Sequence, residues 1–238
     1  MKTGRQMKDA MIEAGVRKTS LPPAKMFFSA ILAGMFIALG AYGSQHAGLY
    51  GSKVVSSLVF PIGLTMVIFT GSELFTGNSL ITMALFNKRV TLKAMLKNWG
   101  IVYLGNLCGS LLVAVPAGLL ASGDLAQAMI NAAAAKTALP LGIMFLKAIL
   151  CNVLVCLAVF CALCSDEAAG KFPALYLPTF LFVLCGYEHS IANMYFIPAA
   201  ITAGATGIFA GMLVNLIVVT IGNVVGGTLI SWLLHQGE

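Results

Sequence analysis

Two polar stretches, Gly71-Ser-Glu-Leu-Phe-Thr-Gly-Asn78 and Gly186-Tyr-Glu-His-Ser-Ile-Ala-Asn193, interrupt the longest apolar segments of this 238-residue chain. Both follow the pattern G-x-E-x-x-x-x-N, and they lie inside segments 54–86 and 172–203, each longer than 30 residues. A single helical crossing of a membrane needs only about 20 apolar residues. We therefore predict that each long segment is a broken helix, with its polar stretch at the break.

The composition defines the class of protein. Hydrophobic residues make up 59% of the chain and charged residues only 9%. A soluble domain carries about 25% charged residues, so a water-soluble globule and a disordered chain are both excluded, and an integral protein of the lipid bilayer remains. The apolar segments are 26–44, 54–86, 98–122, 138–164, 172–203 and 208–235. The predicted fold class is all-α, with six transmembrane segments of which the second and fifth are broken.

A second pair of matching motifs indicates an internal repeat. Gly105-Asn-Leu-Cys-Gly109 and Gly222-Asn-Val-Val-Gly226 are 117 residues apart, and the two polar stretches are 115 residues apart. Because each repeat has three crossings, an odd number, the second repeat enters the membrane from the opposite side. We predict inverted repeats over about 26–122 and 138–235, and broken helices in such repeats point to a transport site near the bilayer midplane.

The placement of basic residues predicts the orientation. Those before the first segment and in the second loop are Lys2, Arg5, Lys8, Arg17, Lys18, Lys25, Lys88, Arg89, Lys93 and Lys97. Lysine and arginine accumulate in cytoplasmic loops, so both termini are expected in the cytoplasm and the protein in the plasma (inner) membrane. Residues 1–25 are expected to be an amphipathic cytoplasmic segment, or else a loosely ordered basic tail, before a channel domain over 26–235. Nucleic-acid binding is not expected.

The shared residues of the two polar stretches are interpreted as structural. An ionised carboxylate at mid-membrane costs about 3 kcal/mol, so Glu73 and Glu188 need a reason to be there. We expect them to fasten the breaks by accepting hydrogen bonds from freed backbone amides, with direct substrate contact as the alternative. Gly71 and Gly186 permit the turns. Asn78 and Asn193 complete the set.

The chain resembles the formate/nitrite transporter family in four stretches that run in the family's order. These are Gly71-Ser-Glu-Leu-Phe-Thr-Gly77, Cys151-Asn-Val-Leu-Val-Cys-Leu-Ala158, Gly186-Tyr-Glu-His-Ser-Ile-Ala-Asn-Met194 and Thr220-Ile-Gly-Asn223. The resemblance implies an aquaporin-like fold and a homopentamer in which every protomer has its own pore. It also implies transport of small monovalent anions of weak acids, such as formate, nitrite and hydrosulfide.

The resemblance also implies roles for particular residues. His189 matches the central pore histidine, Thr76 and Asn223 match its polar network, and Lys136 matches a lysine beside the outer vestibule. The residues that match the apolar constrictions are Phe60, Leu64, Leu74, Phe75, Val155 and Phe182. Lys147, taken with the form of the first polar stretch, is closer to the nitrite branch than to the formate branch; the alternative is a lysine that snorkels to a helix end.

A mechanism follows from the cost of moving an ion through an apolar slit. A bare anion pays a large desolvation penalty there, whereas its neutral conjugate acid pays far less. We expect the anion to cross as the weak acid, with its proton shared with His189 or supplied by vestibule water.

Other functions are weighed against this one. A proton-coupled secondary transporter of the same anions stays open, and so does an aquaporin-like channel for neutral solutes, although the chain has no Asn-Pro-Ala motif. An enzyme is not expected, because no nucleophile–base or metal-binding spacing is present. The six cysteines lie in apolar segments and are interpreted as packing residues, so neither a metal nor a cofactor is expected.

Overall fold

The computed structural model describes residues 2–237, which form twelve α-helices and one 3₁₀ turn without any strand. In the first half the helices are α1 (Gly4–Ser20), α2 (Pro23–Tyr50), α3 (Lys53–Val59), α4 (Pro61–Thr70), α5 (Phe75–Asn78), α6 (Ile81–Phe86) and α7 (Leu92–Leu120). In the second half they are α8 (Gly123–Thr137), α9 (Leu141–Cys161), α10 (Ala168–Leu184), α11 (Ser190–Thr202) and α12 (Phe209–Gln236). The 3₁₀ turn, Ala162–Cys164, follows α9.

Most of these helices are suited to a bilayer. Within residues 2–237, α2, α3 with α4, α7, α9 with its 3₁₀ turn, and α12 are long and apolar enough to cross a membrane. Helix α10 is apolar but shorter, at 17 residues. With α5–α6 and α11 as the far parts of the two broken segments, the chain is a multi-pass, all-α membrane protein built from two inverted three-helix repeats.

The G-N-x-x-G motifs explain how the long helices of each repeat pack. A Cβ atom on Gly109 of α7 would lie 2.0 Å from the backbone oxygen of Ile31 in α2. A Cβ atom on Gly226 of α12 would lie 2.2 Å from the backbone oxygen of Ile149 in α9. Small residues allow membrane helices to approach this closely, so both repeats bring two long helices together backbone to backbone.

Both predicted breaks begin at a glycine in the left-handed region. Helix α4 ends at Gly71, whose φ is +68°, and the turn after α10 contains Gly186 with φ +66°. Side chains other than glycine rarely adopt this conformation. The chain then runs extended until Phe75 begins α5 and Ser190 begins α11, so the second and fifth membrane segments are interrupted where the sequence places the polar stretches.

Several of the polar stretches between the predicted apolar segments are wholly or partly helical in the structure. The stretch 123–137 is helix α8, which has Asp124 in its first turn and Lys136 in its last turn, the charge order that favours a helix. Helix α2 continues to Tyr50, six residues beyond the predicted end of the first segment. Polar residues alone therefore do not end a helix.

Helix α1 packs on the rest of the chain. Its buried Met11, Ile12 and Ala14 lie in a hydrophobic cluster with residues of α6. At the start of α1, the Lys2 ammonium forms an ion pair with Asp166 at 2.6 Å and holds the pKa of that exposed carboxyl below its usual range. Met1, the first residue of the predicted segment 1–25, lies outside the described residues.

Candidate pore site

A set of polar side chains around the buried Glu73 links the two sides of the first break by hydrogen bonds. One carboxylate oxygen, Oε1, accepts a hydrogen bond from Lys18 Nζ at 2.8 Å, and the other, Oε2, accepts one from Asn78 Nδ2 at 2.7 Å. Asn78 Nδ2 also donates to Asn98 Oδ1 at 2.9 Å, and Asn98 Nδ2 donates to the backbone oxygen of Lys18 at 3.2 Å. We call Lys18, Glu73, Asn78 and Asn98 the first clamp.

The second break carries the same arrangement around Glu188. Its Oε1 accepts from Lys136 Nζ at 2.9 Å, and its Oε2 accepts from Asn193 Nδ2 at 2.7 Å. Asn193 Nδ2 donates to Asn215 Oδ1 at 2.7 Å, and Asn215 Nδ2 donates to the backbone oxygen of Lys136 at 3.1 Å. We call Lys136, Glu188, Asn193 and Asn215 the second clamp.

The two clamps give helix α1 a defined place in the first repeat. Lys18 lies in the last turn of α1, as Lys136 lies in the last turn of α8, so each repeat begins with a helix that supplies the lysine. Sequence reasoning did not select Lys18. The signal that could have found it is its spacing, since Lys18 precedes Lys136 by 118 residues, close to the offsets of the matching motifs.

The carboxylates do not accept the backbone amides of the breaks, which corrects the expectation for Glu73 and Glu188. Asn106 and Asn223 do so instead: Asn106 Oδ1 accepts from the Phe75 N–H at 2.9 Å, and Asn223 Oδ1 accepts from the Ser190 N–H at 2.8 Å. The carboxylates are already engaged by an ammonium and an amide. A side-chain amide both donates and accepts, so it can satisfy an N–H and a C=O group at the same break.

The donor ends of these two asparagines complete the match between the repeats. Asn106 Nδ2 donates to the backbone oxygens of Ala30 and Glu73, at 2.7 and 2.9 Å. Asn223 Nδ2 donates to those of Ala148 and Glu188, at 2.8 and 2.9 Å. Backbone freed by a break in a membrane has to be satisfied within the protein, and the asparagine of each G-N-x-x-G motif does this.

The two repeats meet at His189. Its Nε2 lies 3.0 Å from Thr76 Oγ1, which comes from the first repeat, and its Nδ1 accepts from the Ala192 N–H at 3.0 Å. The Phe182 ring stacks on the imidazole, with the centroids 5.8 Å apart and the planes 13° apart. Since Nδ1 accepts, the neutral imidazole carries its proton on Nε2 and donates it to Thr76.

Asn223, predicted in the same polar network, does not hydrogen-bond to the imidazole. It holds the backbone on both sides of His189, at Glu188 and Ser190. Asn152, which sequence reasoning did not select, joins the repeats: its Nδ2 donates to the backbone oxygens of Thr76 at 3.3 Å and Asn223 at 2.6 Å.

The residues matched to the constrictions are buried in one hydrophobic cluster. The Phe60 and Phe182 rings meet edge to face at 5.6 Å, and the Phe75 ring meets the Tyr103 ring at 5.0 Å. The members of the set in this cluster are Phe60, Leu64, Leu74, Phe75, Val155 and Phe182. The structure therefore surrounds the His189–Thr76 pair with apolar side chains.

Two basic cavities lie on the two breaks. The first vestibule, of about 410 Å³, is lined by Lys18, Glu73 and Leu74, with further cations from Arg17, Lys25 and Lys171. The second vestibule, of about 380 Å³, is lined by the second clamp's Lys136 and Glu188 together with Phe60, Phe182, His189, Lys53 and Lys147. Each cavity thus has more cationic than anionic side chains, and His189 belongs to the second. No group of His, Cys, Asp or Glu side chains among residues 2–237 is arranged to hold a metal ion.

Broken helices in inverted repeats, with a cavity at each break, are typical of membrane transport proteins. The sequence model of one family, described as Formate/nitrite transporter, matches residues 5–236. The chain therefore belongs to the formate/nitrite transporter family, whose members are channels and transporters rather than enzymes.

Individual relatives agree with this assignment. The "Uncharacterized transporter YrhG" of Bacillus subtilis is 38% identical over 250 residues, which cover 97% of this chain and 91% of the relative. A solved "FNT family ion channel" superposes with a TM-score of 0.89 at 30% identity, over 96% of this chain and 97% of its own. A solved "Pentameric formate channel with formate bound" gives a TM-score of 0.77 at 30% identity, over 89% of this chain and 95% of its own. The aquaporin-like architecture of this family is thus the fold of the chain.

Proposed function

We propose that this protein conducts small monovalent anions of weak acids, namely nitrite, hydrosulfide and formate, through the path between its two vestibules. The observation that carries the proposal is the His189–Thr76 pair, buried among apolar rings between two cavities with excess positive charge. Such a path attracts an anion to each mouth and offers it one hydrogen-bonding site in an otherwise apolar passage.

The lysines of the vestibules divide into two kinds. Lys18 and Lys136 are paired with the buried carboxylates, whose side chains are each 4% exposed. Lys53 and Lys147 form no ion pair within residues 2–237, so their charge is available to raise the local anion concentration. In this proposal the clamps fix the breaks, and the unpaired cations attract the anion.

His189 serves the anion as a hydrogen-bond donor. An anion that displaces the Thr76 hydroxyl meets the Nε2–H, the one proton of the neutral imidazole. Protonation of Nδ1 would break the hydrogen bond to the Ala192 N–H. The Nε2–H therefore hydrogen-bonds to the anion and keeps its own hydrogen, while vestibule water supplies the proton that crosses with the anion and is left as hydroxide. The anion is then neutralised before it enters the apolar passage, where desolvation of a charge costs most.

Two observations bear on the substrate. One solved relative is a formate channel with formate bound, which supports formate among the substrates. Lys147, which lines the second vestibule, and the Ser-Glu-Leu-Phe-Thr-Gly form of the first break favour nitrite or hydrosulfide. We propose that all three anions pass and that nitrite or hydrosulfide is preferred.

Assembly and orientation form part of the proposal. The same solved relative is pentameric, and we propose a homopentamer with one pore in each protomer. Basic residues are dense in residues 2–25 and in the loop at 87–97, which supports cytoplasmic termini in the plasma (inner) membrane. The first vestibule, beside α1, then faces the cytoplasm, and residues 26–235 form the channel domain.

Flux into proteoliposomes of the purified protein tests the proposal. Nitrite, hydrosulfide, formate and glycerol are compared with and without an imposed pH gradient. We expect flux of the anions that stops when the combined proton and anion gradients are balanced, and exclusion of glycerol. Uptake against the anion gradient, driven by protons at fixed stoichiometry, would identify a proton-coupled transporter. Passage of glycerol without anion flux would indicate a neutral-solute channel and overturn the proposal.

A further inference from the structure

One polar pair in the second vestibule has no counterpart in the first. The Tyr195 hydroxyl, on the fully buried side chain, donates to Gln45 Oε1 at 2.9 Å. Gln45 lines the second vestibule with Lys53, Lys136 and His189. Its Nε2 is buried, and no acceptor for it lies among residues 2–237. A buried donor costs free energy while its hydrogen bonds are unmade, so an acceptor that enters the vestibule would gain by binding this amide.

The internal repeat shows that packing does not require this pair. The backbone oxygens of Ala30 and Ala148 accept hydrogen bonds from the equivalent Asn106 and Asn223, so these two alanines are equivalent positions, 118 residues apart. With the same offset, the position equivalent to Gln45 is Leu163. The clamp asparagines Asn78 and Asn193 are 115 residues apart, and with this offset the position in the first repeat equivalent to Tyr195 is Leu80.

Both of these leucines line the first vestibule and lie in one hydrophobic cluster. In the first vestibule, therefore, an apolar leucine pair fills the place that the tyrosine and the amide occupy in the second. A fold that accepts leucine at both positions in one repeat does not need Gln45 and Tyr195 for packing in the other.

We propose that Gln45, positioned by Tyr195, is an anion-binding residue of the second vestibule that donates its Nε2 hydrogens to the substrate anion before it reaches His189. This inference rests on the proposed anion conduction. An amide N–H in the same cavity as the ammonium groups of Lys53 and Lys147 suits a small oxyanion such as nitrite or formate, whose oxygens accept hydrogen bonds. The two mouths of the pore then differ, because the first vestibule has charge without this donor.

Sided transport assays test the inference. Nitrite and formate uptake are measured in right-side-out and inverted membrane vesicles containing the wild type or Gln45→Leu. A hydrogen bond to a charged group is stronger than one between neutral groups, and partial replacement by water reduces the loss. We expect about a tenfold rise in the half-saturating anion concentration from the second-vestibule side and no change from the first. Tyr195→Phe, which keeps the amide but frees it, is expected to give about a threefold rise.

The controls separate binding from folding and from the proposed function. Gln127→Leu alters an exposed amide that bonds only to Asn131 and should leave both sides unchanged. If Gln45→Leu assembles poorly, Gln45→Leu with Tyr195→Leu recreates the leucine pair of the other repeat. A half-saturating concentration from the second-vestibule side that stays at the wild-type value in the folded variants overturns the role of Gln45. Absence of anion flux in the wild type overturns the proposed function itself.

Discussion

The Nδ1 atom of His189 accepts a hydrogen bond from the backbone N–H of Ala192, so the imidazole that faces the pore is also the N-cap of α11. One ring thereby has two tasks: Nδ1 begins a helix, and Nε2 presents a proton to Thr76. The cap fixes the tautomer. A structural effect of replacing His189 can be separated from a transport effect only by a variant that retains the cap.

Replacement of His189 by asparagine and by alanine makes that separation. Asparagine is a good N-cap residue, whereas alanine loses a cap worth about 1 kcal/mol. We expect His189→Asn to retain near wild-type thermal stability and His189→Ala to unfold at lower temperature. Neither asparagine nor alanine places an N–H donor where Nε2 of His189 lies. Because the anion loses this hydrogen bond, we expect anion flux to fall at least about tenfold in both variants.

The same variants test whether His189 itself transfers the proton. Because Nδ1 accepts from the Ala192 N–H, the imidazole stays neutral, so we expect flux in proteoliposomes between about pH 5 and 8 to be lower in both variants but to follow the wild-type pH profile, rising as the pH falls and more of the anion is protonated. A pH profile that flattens in both variants would show that His189 transfers the proton, and unchanged flux in His189→Ala would leave it as a helix cap alone.

Thr76 provides a second test, from the first repeat. Its Oγ1 lies 3.0 Å from His189 Nε2, and the side chain is fully buried. Thr76→Val keeps the shape and removes the acceptor, which leaves the Nε2–H without a partner until an anion arrives; Thr76→Ser keeps the hydroxyl. We expect Thr76→Val to lose about 1–3 kcal/mol of stability, as measured by thermal unfolding, and Thr76→Ser to lose less. A Thr76→Ser loss equal to that of Thr76→Val would assign the effect to the methyl group.

The clamps are expected to behave as coupled pairs. Glu188 is buried, with its side chain 4% exposed, while that of Lys136 is 18% exposed. Lys136→Met leaves the buried Glu188 carboxylate without its cationic partner. We expect a loss of about 2–3 kcal/mol, below the roughly 3–5 kcal/mol for breaking a fully buried pair, because water reaches the lysine. Adding Glu188→Gln, which still accepts from Asn193, should restore about 1 kcal/mol or more.

The first clamp and a surface pair provide the comparison. Lys18→Met should match Lys136→Met, since Lys18 and Glu73 repeat the geometry. Lys2→Met breaks the Lys2–Asp166 pair, in which the Asp166 side chain is 81% exposed, and should leave the midpoint of thermal unfolding close to that of the wild type. Additive effects of the Lys136 and Glu188 substitutions in thermal unfolding would show that the pair is not coupled.

The sequence predicts the breaks and the repeat because their causes are local. Gly71 and Gly186 have to adopt positive φ, and the G-N-x-x-G motifs have to pack closely, so each leaves a pattern of fixed spacing. The lysine of the first clamp is harder to identify, because Lys18 is one basic residue among many before the first span and lies 55 residues from Glu73. Only its offset from Lys136, close to that of the repeated motifs, distinguishes it.

The side chains that bind the freed backbone groups at the breaks are also hard to predict from the sequence. A carboxylate near freed amides is an obvious acceptor, and nothing local in the sequence indicates that Asn106 and Asn223 take the amides instead. That assignment depends on α7 and α12 lying beside the breaks, which is a property of the packed fold. The asymmetry between Gln45 and Leu163 likewise gains meaning only once the structure shows that each residue lines a vestibule.

Close helix packing leads to a prediction on folding itself. A Cβ atom on Gly109 would lie 2.0 Å from the backbone oxygen of Ile31, and one on Gly226 would lie 2.2 Å from that of Ile149. Backbone atoms cannot move aside as a flexible side chain does. A methyl group at position 109 would therefore push α7 away from α2. The hydrogen bonds of Asn106 at the first break would lengthen as a result. We expect Gly109→Ala and Gly226→Ala each to cost at least about 2 kcal/mol, within the range for overpacked cores, and to reduce the yield of folded oligomer.

Gly100, on the same helix as Gly109, is the matched control. It is exposed, and no atom lies within 4 Å of a Cβ placed on it. Alanine in a helix interior is favoured over glycine by about 1 kcal/mol, so Gly100→Ala should leave stability unchanged or raise it. Thermal unfolding and size-exclusion chromatography of the three variants in one detergent make the comparison. Wild-type behaviour of both Gly109→Ala and Gly226→Ala would contradict the backbone contact and, with it, the role of the repeated motif in holding the breaks closed.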